Sequence, residues 1–206
     1  MNGFVLAGGR STRMGSDKAL LRYAGRPLIE HAVESLKAVG LEPYIVGVRP
    51  DLATYAPVIE DLHPGCGPLG GIEAALAASD SEWNLFRPVD LPLLPQVFLR
   101  YLIERSGITG ASATIPTLAG KTDPLCAVYR SDLLAGIQKS LEAGDYKVMR
   151  CVENAAGPAK VDRFSVEAVA ATRDEWPMNL PLRHWFHNLN TPADLRHFQE
   201  NRVLDA

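Results

Sequence analysis

The apolar run Phe4-Val5-Leu6-Ala7 passes without a break into Gly8-Gly9-Arg10-Ser11-Thr12-Arg13-Met14-Gly15-Ser16-Asp17-Lys18. No other stretch of the chain constrains the fold as strongly. The apolar run reads as a short strand, and the paired glycines at its end lack the Cβ that would bar positive φ, so backbone N–H groups there can come close to an anionic ligand. Arg10, Arg13 and Lys18 stand against the single carboxylate Asp17, a local formal charge of +2 in a chain whose total is −3. The pattern predicts a strand, a phosphate-cradling loop and a following helix. It is not the common phosphate loop, because Lys18 comes three residues after Gly15 and is followed by Ala19 rather than Ser or Thr. A dinucleotide fingerprint fails as well, since no third glycine falls at the required spacing.

A chain of 206 residues is long enough for one sizeable core, so residues 1–206 are expected to form a single domain. Its 47% apolar and 22% charged content and pI near 6.0 argue against general affinity for nucleic acid or an anionic membrane, so polyanion binding must be local. No apolar run approaches the roughly 20 residues of a membrane span, and Phe4 to Ala7 is too short for a secretory leader. A cytoplasmic location is expected. Cys66, Cys126 and Cys151 show no paired spacing and read as reduced packing thiols.

Beyond the loop, Pro27 can open a helix whose apolar positions Leu28, Ile29, Ala32, Val33, Leu36 and Val39 share one face, with Gly40 as the stop. Strands are expected over Tyr44–Val48, Val58–Ile59, Trp83–Val89, Ala111–Ile115 and Leu125–Tyr129. Helices are expected over Leu69–Ala78, Pro95–Arg105, Asp132–Leu141 and Tyr146–Val152, and again after Thr191-Pro192 with Leu195 and Phe198 inward. Strands alternating with helices predict a mostly parallel sheet covered on both faces, with some antiparallel pairing in the second half. Residues 153–187, broken by three prolines, give no clear elements.

In open α/β sheets ligands bind beyond the carboxyl ends of the strands, which should bring the Gly8–Lys18 loop and Asp90 into one cleft. Asp90 stands between Val89 and Leu91 at a strand tip. It suits a phosphate-bound Mg²⁺, which takes hard oxygen ligands, although a turn or cap aspartate reads the same way. The loop Gly65-Cys66-Gly67-Pro68-Leu69-Gly70-Gly71 leads into a helix and puts small residues where a flat base could lie against backbone. Asp61 is either an acceptor for a base N–H or ribose hydroxyl, or a solvated loop charge. His184 and His187 have no nearby carboxylate or cysteine to complete a metal site and read as packing residues beside Trp185.

Taken together, Leu6-Ala7-Gly8-Gly9 with Arg13-Met14-Gly15 and Asp17-Lys18, then Gly67-Pro68-Leu69-Gly70-Gly71, Pro88-Val89-Asp90-Leu91-Pro92, Asp123-Pro124-Leu125 and Asn188-Leu189-Asn190-Thr191-Pro192, resemble the molybdenum cofactor guanylyltransferases. The resemblance runs in order along nearly the whole chain. It implies a three-layer Rossmann-like nucleotidyltransferase fold in which Leu6, Ala7, Gly8, Gly9, Lys18, Asp61, Gly70 and Asp90 line the GTP site. Asp90 would also hold Mg²⁺, Arg13 would act with Lys18 and Asp90 on the triphosphate, and Asn188 and Asn190 would meet the metal shell or the pterin. The implied reaction transfers GMP from GTP to the terminal phosphate of molybdopterin, with transient contacts to other cofactor-biosynthesis proteins. Members of the cytidylyl type tend to carry Ala-Ala-Gly where this chain has Ala7-Gly8-Gly9, which favours GTP over CTP. A cytidylyl or sugar-phosphate transferase and a non-catalytic nucleotide-binding relative are the alternatives. Arg49 stands where some members carry an asparagine, and 172–187 is longer than the resemblance leads one to expect.

Overall fold

The computed structural model of the protein describes residues 1–8, 17–177, 180–189 and 194. Strand β1 (Asn2–Leu6) is followed by a 3-10 turn at Lys18–Leu20, a small hairpin of β2 (Arg22–Tyr23) and β3 (Arg26–Pro27), helix α1 (Leu28–Lys37), β4 (Glu42–Val46) and β5 (Val58–Ile59). Then come α2 (Pro68–Ala78), β6 (Trp83–Pro88), α3 (Gln96–Thr109), β7 (Ala113–Leu118), β8 (Lys121–Thr122) and β9 (Ala127–Arg130). The second half continues with α4 (Leu134–Glu142), α5 (Val148–Ala156), β10 (Val161–Ser165), α6 (Val166–Ala170) and α7 (Leu182–Trp185).

Among the described residues, eight strands form one sheet in the order β10-β7-β9-β6-β1-β4-β5, with β8 on β7. The pairs β1–β4, β1–β6, β4–β5 and β10–β7 are parallel, whereas β9 runs antiparallel to both β6 and β7. This is the mixed sheet that the alternation predicts. Period-two side-chain alternation splits the core into two layers: Val5 of β1 points into the apolar cluster under α1 and α3, and neighbouring Phe4 into the cluster under α2, α4 and α5. The inward stripe of α1 is the expected one, with Leu28, Ile29, Ala32, Val33 and Leu36 buried. Full burial of each large apolar side chain contributes about 1.5–3 kcal/mol before conformational entropy is counted.

Several boundaries move for local reasons. The strand expected over Tyr44–Val48 ends at Val46, because Gly47 turns with φ +139°. The strand expected from Leu125 starts at Ala127, since Asp123 folds back to accept from the Leu125 N–H at 3.1 Å. The helix expected over Tyr146–Val152 runs instead from Val148 to Ala156. Ala24 (φ 48°) and Gly25 (φ 82°) make the tight turn between β2 and β3, a hairpin that the sequence reading passed over.

The unreadable stretch 153–187 contributes β10, α6 and α7, and its aromatic residues pack on α3. Trp176 and Trp185 lie with ring centroids 5.2 Å apart, and each approaches Phe98 at 5.9 Å. Arg105 donates two hydrogen bonds, of 2.6 and 2.8 Å, to Asp162 and so ties α3 to β10. The terminal helix expected after Thr191 lies outside the described residues, apart from Asp194. No helix among the described residues is long and apolar enough to cross a membrane.

Candidate active site at the strand ends

The registers that pair Leu6 with Val46 and Leu6 with Pro88 bring the carboxyl ends of β1, β4 and β6 to one level. Backbone bonds continue the lacing past the strands: Ala7 donates to Val46 at 3.1 Å, Val89 to Leu6 at 3.2 Å and Gly47 to Ile59 at 3.0 Å. A cleft of about 570 Å³ opens over these ends. Its lining includes seven of the residues marked from the sequence: Leu6, Ala7, Gly8, Lys18, Asp61, Asp90 and Asn188. Gly9, Arg13 and Asn190 lie outside the described residues.

Asp90 and Lys18 meet in this cleft, the lysine Nζ donating to Asp90 Oδ2 at 2.7 Å. Asp90 is 9% exposed. The Leu189 N–H donates to the Asp90 carbonyl at 3.0 Å, which pins the tail motif to the strand tip and carries Asn188 into the wall. From below, the turn rests on Arg87, a β6 residue only 1% exposed. Its guanidinium donates to Leu91 O at 2.6 Å, to Pro88 O at 3.4 Å and to Ser35 Oγ of α1. Burial lowers this arginine to about 10, with the charges of Cys126 and Asp90 opposing the shift. A buried cation thus braces the segment that presents Asp90, and the apolar strand pattern gave no sign of it.

Two further residues were not read as site residues. Asp123, quoted only as part of a motif, lines the cleft with Asp90. Its carboxyl is pushed above the ordinary carboxylate value, chiefly by burial and in lesser part by the charge of Asp90, against backbone hydrogen bonds from Leu125 and Cys126. Arg49, at the position where the resemblance expects asparagine in some members, lines the opposite wall. The signal for both was positional, because each lies just past a strand or turn at the carboxyl edge of the sheet.

Gly70 does not face the cleft but backs Asp61. A Cβ built there would stand 2.7 Å from Asp61 Oδ1 and 3.1 Å from the His63 carbonyl. The same Oδ1 accepts from the His63 N–H at 2.9 Å. The glycine therefore makes room for a carboxylate held at the start of α2, beside Gly65, Gly67, Pro68 and Gly71 of the wall. His184 is half-buried and His187 exposed beside the buried Trp185, so their packing role is looser than expected, and neither lines the cleft. Cys126 and Cys151 are buried free thiols and Cys66 is half-buried.

The described charged lining comprises Lys18 and Arg49 against Asp17, Asp61, Asp90 and Asp123, a formal balance of −2. Among the described residues no group of three or more His, Cys, Asp or Glu could hold an ion unaided. The donor set instead fits a hard divalent cation that is shared between one or two carboxylates and the substrate's own phosphates.

Comparison with known proteins agrees with this geometry. A family model for the MobA-like NTP transferase domain matches residues 3–159. A probable molybdenum cofactor guanylyltransferase of Carboxydothermus hydrogenoformans is 34% identical over 92% of this chain and 90% of its own length. The molybdenum cofactor guanylyltransferase of Serratia proteamaculans is 30% identical over 99% and 96%. The crystal structure of molybdopterin-guanine dinucleotide biosynthesis protein A from Archaeoglobus fulgidus superposes with a TM-score of 0.77 at 26% identity, covering 98% of this chain and 99% of that one. Strand-end cleft, motif order and near end-to-end matches agree, and the chain belongs to the MobA-like NTP transferase family.

Proposed function

We propose that this protein is a molybdenum cofactor guanylyltransferase, acting in the cytoplasm on GTP and molybdopterin or its molybdenum-loaded form. The observation that carries the reading is the Lys18–Asp90 contact at the carboxyl ends of β1 and β6, inside a cleft whose other wall begins at the glycine-flanked N-terminus of α2. A nucleotide fits this arrangement with its triphosphate over Gly8 and Lys18 and its base toward Asp61 and the α2 loop.

The terminal phosphate of the pterin is already an ionised nucleophile. One of its oxygens bonds to the α-phosphorus of GTP while the bond from that phosphorus to the bridging oxygen of the β-phosphate breaks, and pyrophosphate leaves. No covalent enzyme intermediate is required. The protein's task is alignment of the two phosphates and neutralisation of their charge. Asp90 would hold Mg²⁺, which when bound would supply positive charge to neutralise the reacting phosphates. Lys18 turns from Asp90 to the phosphate oxygens, the Ala7–Gly8 backbone takes the triphosphate, and Asn188 would serve the metal or the pterin.

Asp90→Ala and Lys18→Ala should each lower turnover by about two orders of magnitude or more, the usual effect of removing a preorganised charge from a polar transition state. Both side chains stand in the cleft, so thermal melting should change little. Near-normal pyrophosphate release by both purified variants would refute the assignment.

A further inference from the structure

The segment Gly47-Val48-Arg49-Pro50-Asp51 leaves β4 and touches the first strand unit at two separate places. At Gly47 the two backbones meet directly: φ is +139°, and a Cβ there would lie 2.9 Å from Gly8 Cα and 3.0 Å from Gly8 N. At Arg49 the contact is made by a side chain. Nη1 donates to Asp17 Oδ1 at 3.1 Å and Nη2 to Asp17 Oδ2 at 2.5 Å, a planar fork on a carboxylate. Asp51 holds the same guanidinium from the other side, accepting from Nε at 3.0 Å and from Nη2 at 2.7 Å.

These bonds account for four of the five N–H groups that a guanidinium offers. Arg49 lines the cleft, yet it has one N–H left and two carboxylates upon it, so it is not set to grip a phosphate with its own fork. Its effect passes through Asp17, which also accepts from the Ala19 N–H at 3.0 Å and so caps the turn that carries Lys18. Lys18 in turn reaches Asp90.

We propose that Arg49 is a positioning residue for guanylyl transfer, acting through Asp17 to fix the turn from which Lys18 enters the cleft. The proposal rests on the function proposed above for its kinetic consequence, but the clasp itself can be read without substrate. Asp17→Asn is the useful partner variant: its amide oxygen can still cap Ala19, while the charged fork is lost.

The test uses the parent, Arg49→Ala, Arg49→Lys, Asp17→Asn and the double variant R49A/D17N. Pyrophosphate release as a function of GTP concentration is measured together with amide hydrogen exchange at Ala19 to Leu21 and, as a fold control, in α3. R49A and D17N should each lower kcat/KM for GTP by about tenfold or more, the effect of losing a charge-assisted hydrogen bond. The double variant should be no worse than either single one, and Arg49→Lys should not restore the parent value because a lysine lacks the fork. Exchange at Ala19 to Leu21 should quicken about tenfold, with α3 unchanged. Additive losses, or a loss in R49A with none in D17N, would show Arg49 contacting substrate directly and overturn the proposal. Unchanged exchange at Ala19 to Leu21 in R49A and R49K would overturn it too. If the parent releases no pyrophosphate, the guanylyltransferase reading fails while the exchange arm still decides on the clasp.

Discussion

Asp123 shows most clearly how a single residue can carry a cost on behalf of a site. Burial raises its carboxyl above the ordinary carboxylate value, so folding favours the neutral form over the ionised one. A group shifted in this sense gives stability that is full below the unfolded-state value and is lost as pH rises through the folded-state value. At neutral pH Asp123 therefore destabilises the fold. Asp123→Asn keeps an oxygen that can accept from Leu125 and should melt at a higher temperature than the parent near pH 7, with the gap closing as the pH falls through the raised folded-state value towards 3.8. Melting curves across that range check it, and a gap that stays constant with pH would contradict the assigned cause. Of the residues that line the cleft, those announced by glycine or by a lone carboxylate in an apolar run could be read from the sequence, as at Gly8, Lys18 and Asp90, whereas Asp61 read equally well as a solvated charge. Arg87 and Arg49 could not. A buried strand position holding arginine has no periodicity of its own, and an arginine past a strand reads as a solvated charge until Asp17 and Asp51 are seen around it.

At the scale of elements, helices with a clean apolar stripe were legible to within a residue or two, and α1 is the example. Elements defined by long-range partners were not. The β2–β3 hairpin has two residues per strand, β10 and α7 are held by α3 through Arg105 and the rings of Trp176 and Trp185, and α6 rests on β10 and β7, partners that local sequence does not encode. The crossing of α4 and α5 offers a test of such packing. A Cβ on Gly136 would stand 2.4 Å from Ala155 Cβ and 2.7 Å from its Cα, so the two helices approach closely only because residue 136 has no side chain. Gly136→Ala must push them apart. It should cost about 1–3 kcal/mol, typical of overpacking, after any gain in helix propensity. Chemical denaturation measures the cost, and GTP affinity should stay at the parent value because neither helix borders the cleft. Parental stability would show that the crossing relaxes more readily than its geometry implies.

For the whole molecule, the parallel registers at β1 determine where function can lie. Leu6 is paired with both Val46 and Pro88, so the loops after three neighbouring strands converge at one end of the sheet, while β9 runs antiparallel between β6 and β7. Residues distant in sequence then share one cleft: Gly8 with Gly47, Lys18 with Asp90, and Asp90 with the backbone of Leu189. The central claim is that this cleft moves a guanylyl group onto a pterin phosphate. Its most direct test is pyrophosphate release by the purified protein with Mg²⁺ and molybdopterin, comparing GTP with CTP. The expected result is release that requires molybdopterin and proceeds with GTP far faster than with CTP, accompanied by formation of the guanine dinucleotide product. Equal or faster release with CTP, or GTP bound with no pyrophosphate released in the presence of molybdopterin, would contradict it.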